Sequence, residues 1–138
     1  MDDFRTQLAA VIDELLAEGK RPVFLAVDLD GIEEIKRRRS EESLRQFLQS
    51  AIDAILRTTD ASDAFSYEDR SIVAVLPDVE RLKLFARIDK LRRMLPILSQ
   101  TYDCPLQPGF DVLEYEEGQG VAGLIKQLVG RSAEQKSA

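Results

Sequence analysis

The stretch Asp63-Ala-Phe-Ser-Tyr-Glu-Asp-Arg-Ser-Ile-Val-Ala-Val-Leu-Pro-Asp78 decides how this chain is read. It predicts two short strands, Asp63–Tyr67 and Ser71–Leu76, joined by the polar turn Glu68-Asp69-Arg70. Ile, Val, Phe and Tyr favour the pleated backbone, and Pro77-Asp78 stops the second strand. That second strand is almost wholly apolar, as expected of a central strand covered on both faces. Two acids in an exposed turn make the hairpin the first place to look for chemistry.

Working outward, Pro22-Val-Phe-Leu-Ala-Val27 is a second continuous apolar strand, running into Asp28-Leu-Asp-Gly31. Before it, Phe4, Leu8, Val11, Ile12, Leu15 and Leu16 recur at helical spacing, with Asp2 or Asp3 as N-cap and Gly19 as C-cap. Asp30 is expected to cap a short helical segment over residues 32–39. Ser40 caps a long helix whose stripe is Leu44, Phe47, Leu48, Ala51, Ile52, Ile55 and Leu56, ending near Arg57. After the hairpin, Asp78 is expected to cap a third helix with the stripe Val79, Leu82, Phe85, Ile88 and Leu91, stopping before Pro96. An apolar loop with Leu95, Ile97, Leu98 and Tyr102 would cover the sheet edge or meet a partner. It leads to a last strand, Leu106–Tyr115, broken at Pro108-Gly109 into an edge or a bulge. A final helix is expected over Val121–Val129.

From residue 22 the order is strand, helix, strand, strand, helix, strand. This predicts an α/β (α+β) fold: a ferredoxin-like βαββαβ, antiparallel-rich sheet with both helices on one face and an extra N-terminal helix. Right-handed crossovers place the third strand between the first two. Residues 1–130 form one domain and residues 131–138 a mobile tail.

Composition narrows the function. The 138 residues carry a formal net charge of −6 and no histidine. An acidic chain does not suit general nucleic-acid binding, and imidazole catalysis is excluded outright. A single cysteine, Cys104, and the lack of a long apolar run lead us to expect a cytoplasmic domain without a membrane segment. The topology sets the end of the first strand, Asp28, beside the turn Glu68–Ser71. Carboxylates at both places would share a divalent cation and a nucleotide phosphate.

With these residues in place the chain resembles the GGDEF family, the diguanylate cyclases that condense two GTP into cyclic di-GMP. Val23-Phe-Leu-Ala-Val-Asp-Leu-Asp30 is similar to the family's first strand with its Asp-x-Asp ending. Ser71-Ile-Val-Ala-Val-Leu-Pro-Asp78 is similar to the strand after the signature, including its Leu-Pro-Asp exit. Leu106-Gln-Pro-Gly-Phe-Asp111 and Tyr115-Glu-Glu-Gly118 stand where the family has its last strand and turn. The resemblance implies a nucleotidyl-cyclase, palm-like fold with Asp28 as metal ligand.

The departures fall on the signature. Aligned on Leu-Pro-Asp, Gly-Gly-Asp-Glu-Phe becomes Glu68-Asp69-Arg70-Ser71-Ile72. Both glycines, which let backbone approach the nucleotide, carry side chains. The acidic metal ligand becomes Arg70 and the catalytic glutamate Ser71. Lys36 replaces a guanine-contacting Asn, and the loop that follows it is shorter than typical. The resemblance therefore implies lost cyclase activity, no catalytic residue, and no cofactor beyond a residual Mg²⁺ at Asp28. A register slip bringing Glu68 or Asp69 toward Asp28 keeps a divergent metal-dependent nucleotide enzyme open.

Arg57-Thr-Thr-Asp60 matches the Arg-x-x-Asp site with which many members bind cyclic di-GMP, spaced further from the signature than usual. Arg suits bidentate phosphate or guanine contacts, and Asp accepts guanine N–H bonds. Lys90 on the third helix would add a second cation; equally, Arg57 is a cation at a helix C-terminus and Lys90 a surface lysine. The basic run Lys36–Arg39 offers a patch for an acidic partner, although Glu33, Glu34, Glu41 and Glu42 flank it. The expected role is a binding or protein-interaction module in bacterial cyclic di-GMP-type signalling. Its expected partners are another protein or a second copy, and cyclic di-GMP or a guanine nucleotide. The alternative is a cyclic di-GMP receptor acting through Arg57 and Asp60.

Overall fold

In the computed structural model, residues 3–67, 70–102, 106–115 and 123 are described. The elements are α1 (Asp3–Ala17), β1 (Pro22–Asp30), α2 (Ile32–Arg38), α3 (Glu41–Thr59), β2 (Asp63–Tyr67), β3 (Ser71–Pro77), α4 (Arg81–Gln100) and β4 (Gln107–Glu114). The strands form one sheet in the order β2-β3-β1-β4. The expected α+β sheet is present, with β3 between β1 and β2 and antiparallel to both.

β1 from Pro22 to Val27 and β3 from Ile72 to Pro77 are apolar because both faces of the sheet are covered. Alternate residues point to opposite sides. Val23, Leu25, Val27 and Leu29 of β1, with Ile72, Ala74 and Leu76 of β3, meet α2, α3 and α4 in the larger core. Phe24, Val73 and Val75 face the other way, against Leu8, Ile12 and Leu15 of α1. The N-terminal helix is thus the lid of the second face. It ends in a Schellman motif: Lys20 N–H donates to Leu15 C=O at 2.9 Å and Gly19 N–H to Leu16 C=O at 3.0 Å, with Gly19 at φ +75°.

Ser40 caps α3 as expected, its Oγ accepting from the Ser43 N–H at 3.2 Å. The helix runs two residues past Arg57 to Thr59, and Asp60 closes it in the left-handed conformation at φ 55°. Asp30 does not cap α2. That position belongs to Gly31, whose φ of 102° suits a glycine, while Asp30 remains an exposed strand end.

The third long helix departs most from expectation. Asp78 does not cap it. The Asp78 N–H donates to the Arg21 carbonyl at 3.1 Å, closing β3 against the start of β1, and α4 begins after Glu80. The helix passes through Pro96 to Gln100, because Leu95 and Ser99 beyond it still face the core. The buried line is Leu84, Ile88, Leu91, Leu95 and Ser99. Leu82 and Phe85, expected inside, are 76% and 51% exposed. A strict three-residue repeat walks around a helix of 3.6 residues per turn, whereas steps of four and three hold one face. The expected apolar loop is therefore helix: Leu95 and Leu98 join the core, and Tyr102 packs edge-on against Phe47 at 5.6 Å.

β4 pairs with β1 without a break, Pro108 opposite Leu29 and Gly109 opposite Asp28. Pro108 is tolerated because β4 is an edge strand, not because the strand is interrupted. The expected helix over 121–129 and the tail at 131–138 lie outside the described residues, apart from a helical Gly123. No described helix is long and apolar enough to cross a membrane.

The phase of α4 is testable by urea unfolding. Leu91→Ala, at a fully buried site, is expected to cost about 3 kcal/mol. Leu82→Ala is expected to change stability by less than about 0.5 kcal/mol.

Candidate functional site

Two places hold the candidate residues: the sheet end at Asp28, and the seam where α3 ends against α4.

At the first, the register lines up Gly109, Asp28, Ser71 and Tyr67 across all four strands. Residues opposite each other in an antiparallel pair share a face. For Asp28 and Ser71 this is the α1 face, where the ring of Phe4 of α1 packs at a tilt against Tyr67, 4.9 Å between centroids. The hairpin is tied to β1 through its backbone. The Arg70 carbonyl accepts the Leu29 N–H at 2.9 Å, and the Arg70 N–H donates to Tyr67 C=O at 3.1 Å. Asp28 is buried, at 9% exposure. The expected meeting of strand end and hairpin is therefore present. Glu68 and Asp69, the acids a register slip would deliver, lie outside the described residues.

The donor set differs from the one the topology suggested. Opposite Asp28 stands a serine hydroxyl, not a carboxylate, and the next hairpin residue is an arginine. Sequence reasoning missed one acid here, Asp111. It pairs with Ala26 in β4, so it lies on the same face as Asp28 and diagonal to it. Its signal was alternation along β4, which becomes useful only once the register with β1 is known. Among the described residues no group of three or more acidic or thiol side chains is placed to hold a metal ion. Mg²⁺ demands near-octahedral oxygen ligation, more than Asp28 and Ser71 supply between them.

At the second place, Asp60 follows the last turn of α3, and its carboxylate meets Arg87 of α4 at 3.5 Å. Arg87 also donates from Nη1 to the Thr59 carbonyl at 2.8 Å, satisfying an acceptor at the end of α3. Arg57 turns back along its own helix, Nε donating to the Asp53 carbonyl at 3.3 Å. Thr58 Oγ1 lies 3.7 Å from Met94 Sδ, so Lys90 falls between the two contact points along α4 and remains exposed. The cation that engages Asp60 in the seam is Arg87, while Arg57 bonds its own helix and Lys90 is exposed about a turn further along α4. Nothing in the sequence singled out Arg87 from its basic neighbours on α4.

The basic run is partly neutralised where it stands. Arg37 and Arg38 both pair with Glu34, at 3.3 and 3.2 Å, as i,i+3 and i,i+4 neighbours of a solvated helix.

No protein-family model matches the sequence, and no curated protein does either. Solved structures do match. The GGDEF domain of DgcB from Caulobacter crescentus, in complex with c-di-GMP, superposes with a TM-score of 0.73 at 12% identity, over 96% of this chain and 84% of that one. The FimX GGDEF domain from Pseudomonas aeruginosa gives 0.71 at 13%, over 95% and 86%. The active GGEEF domain of a diguanylate cyclase from Vibrio cholerae gives 0.62 at 12%, over 91% and 80%. The chain has the fold of a GGDEF domain.

The seam predicts an asymmetry measurable by denaturation. Arg87→Ala is expected to cost about 1 kcal/mol, mostly through the abandoned Thr59 carbonyl. Asp60→Gly should be neutral or stabilising, since glycine adopts the left-handed cap freely and the Asp60 end of the ion pair is exposed.

Proposed function

We propose that this chain is a catalytically silent GGDEF-like domain that serves as a binding and protein-interaction module in bacterial cyclic di-GMP-type signalling. One observation carries the reading. At the sheet end where β1 meets the hairpin, the register puts Ser71 opposite Asp28, and Arg70 ties the hairpin to Leu29. Condensing two nucleoside triphosphates needs metal ions to neutralise phosphate charge and a group to activate the attacking hydroxyl. Among the described residues, Asp28 and Asp111 on one face with the Ser71 hydroxyl opposite Asp28 fall short of that set. The fold that would position such groups is kept, which favours a role in recognition over chemistry. Pure protein incubated with GTP and Mg²⁺ or Mn²⁺ is expected to yield no cyclic di-GMP; its appearance would overturn the proposal.

A second reading is supported at the other place. Asp60 pairs with Arg87 where α3 ends against α4, with Arg57 in the last turn of α3 and Lys90 about a turn along α4, cations suited to phosphate and guanine edges. In this reading the domain is a cyclic di-GMP receptor. Calorimetry at micromolar ligand is expected to show binding that Arg57→Ala and Asp60→Ala abolish. Absence of heat with folded protein would leave the interaction module alone standing.

A further inference from the structure

α1 meets β2 differently at its two ends. At the hairpin end, the Phe4 ring lies 4.9 Å from that of Tyr67 and meets Phe65 edge-on at 6.4 Å. At the other end a cleft of about 290 Å³ lies between the helix and the start of β2. Glu14, Glu18 and Asp63 line it with a single cation, Lys20, so charge does not draw that end of α1 onto the strand. The first N–H groups of a helix have no acceptor within it, which leaves a first turn prone to fray. In α1 the aromatic contact of Phe4 holds that turn down. From Phe4 the contacts run straight to the sheet end. Tyr67 stands opposite Ser71, and Ser71 opposite Asp28. The Tyr67 carbonyl accepts the Arg70 N–H at 3.1 Å, and the Arg70 carbonyl accepts the Leu29 N–H at 2.9 Å.

We infer that the first turn of α1 and the end of the β2–β3 hairpin open and close as one unit, a strap across the end of the sheet. With Phe4 seated, the hairpin is held against β1. With the first turn drawn away, Tyr67 loses its cover and the bonds from Arg70 loosen, while the rest of the sheet stays paired. The larger core lies on the far side of the sheet and contains none of Phe4, Phe65 and Tyr67, so it does not oppose the motion. Leu8, Ile12 and Leu15 keep the body of α1 on the sheet, buried with Phe24, Val73 and Val75. Local opening of this kind belongs to elements held by few buried contacts. Anything that takes hold of the first turn of α1 thereby alters the surroundings of Asp28 without touching it. The inference holds whether or not the domain binds a nucleotide.

Amide hydrogen exchange of the full chain, followed by NMR, tests it with four backbone bonds as reporters. The Leu29 and Arg70 N–H groups report on the hairpin end. The Asp78 N–H, bonded to the Arg21 carbonyl, and the Tyr115 N–H, bonded to the Pro22 carbonyl, report on the opposite end. Phe4→Ala is expected to speed exchange at Leu29 and Arg70 roughly fivefold, the change that loss of one aromatic pair implies. Asp78 and Tyr115 should keep their protection, which also shows that the variant is folded. Phe4→Tyr, which retains the ring, should restore the slow exchange. Tyr67→Ala should give the same pattern as Phe4→Ala, and combining the two should add little, as residues acting through one contact do. Equal acceleration at all four amides, no acceleration at Leu29 and Arg70, or additive effects of the Phe4 and Tyr67 changes would overturn the inference.

Discussion

Antiparallel pairing of β1 with β3 is the constraint on which the rest depends. Seven residues of each strand are matched, from Pro22 opposite Pro77 to Asp28 opposite Ser71. Nearly every one is buried, since α3 and α4 cover one side and α1 the other. A one-residue slip would send every side chain to the opposite face, Phe24 into the α3 layer and Leu25 under α1. The register is therefore held by two cores at once. Its ends are pinned as well, by the Asp78 N–H on Arg21 at one and the Arg70 carbonyl on Leu29 at the other.

The candidate chemistry follows from that register. Because Asp28 is the last buried residue on its face, whatever stands opposite it in β3 shares its surroundings. In this chain that residue is Ser71. The same pairing with β4 brings Asp111 onto the Asp28 face and Gly109 directly beside it. At the sheet end the register thus sets Asp28 and Asp111 on one face, with the Ser71 hydroxyl opposite Asp28. At the α3–α4 seam, Arg87 of α4 serves both as donor to the end of α3 and as the partner of Asp60.

α4 shows how a single helix can carry two unlike faces. Its inner line, stepping by four and three from Leu84 to Ser99, secures the sheet. Its outer line, offset by half a turn, keeps Leu82 and Ile97 in water. Pro96 removes one hydrogen-bond donor without ending the helix, because burial of Leu95 on one side of it and Ser99 on the other outweighs that loss. Propensity yields to packing here, as it does at Asp78, whose backbone is claimed by the sheet before it can cap.

The sequence by itself determined the element order, the two central strands, the Ser40 cap and the hairpin, since each rests on a local signal: apolar runs, a capping hydroxyl, turn residues. It also identified the sheet end where Asp28 would meet the hairpin, because crossover handedness leaves little choice. Only the tertiary structure decided the partners. That Gly31 and not Asp30 precedes α2 depends on a backbone angle. That Arg87 meets Asp60, that Asp111 joins the Asp28 face, and that Leu82 points outward all depend on register and helix phase. Those quantities are set by long-range packing of the two cores, and no short stretch of residues encodes them.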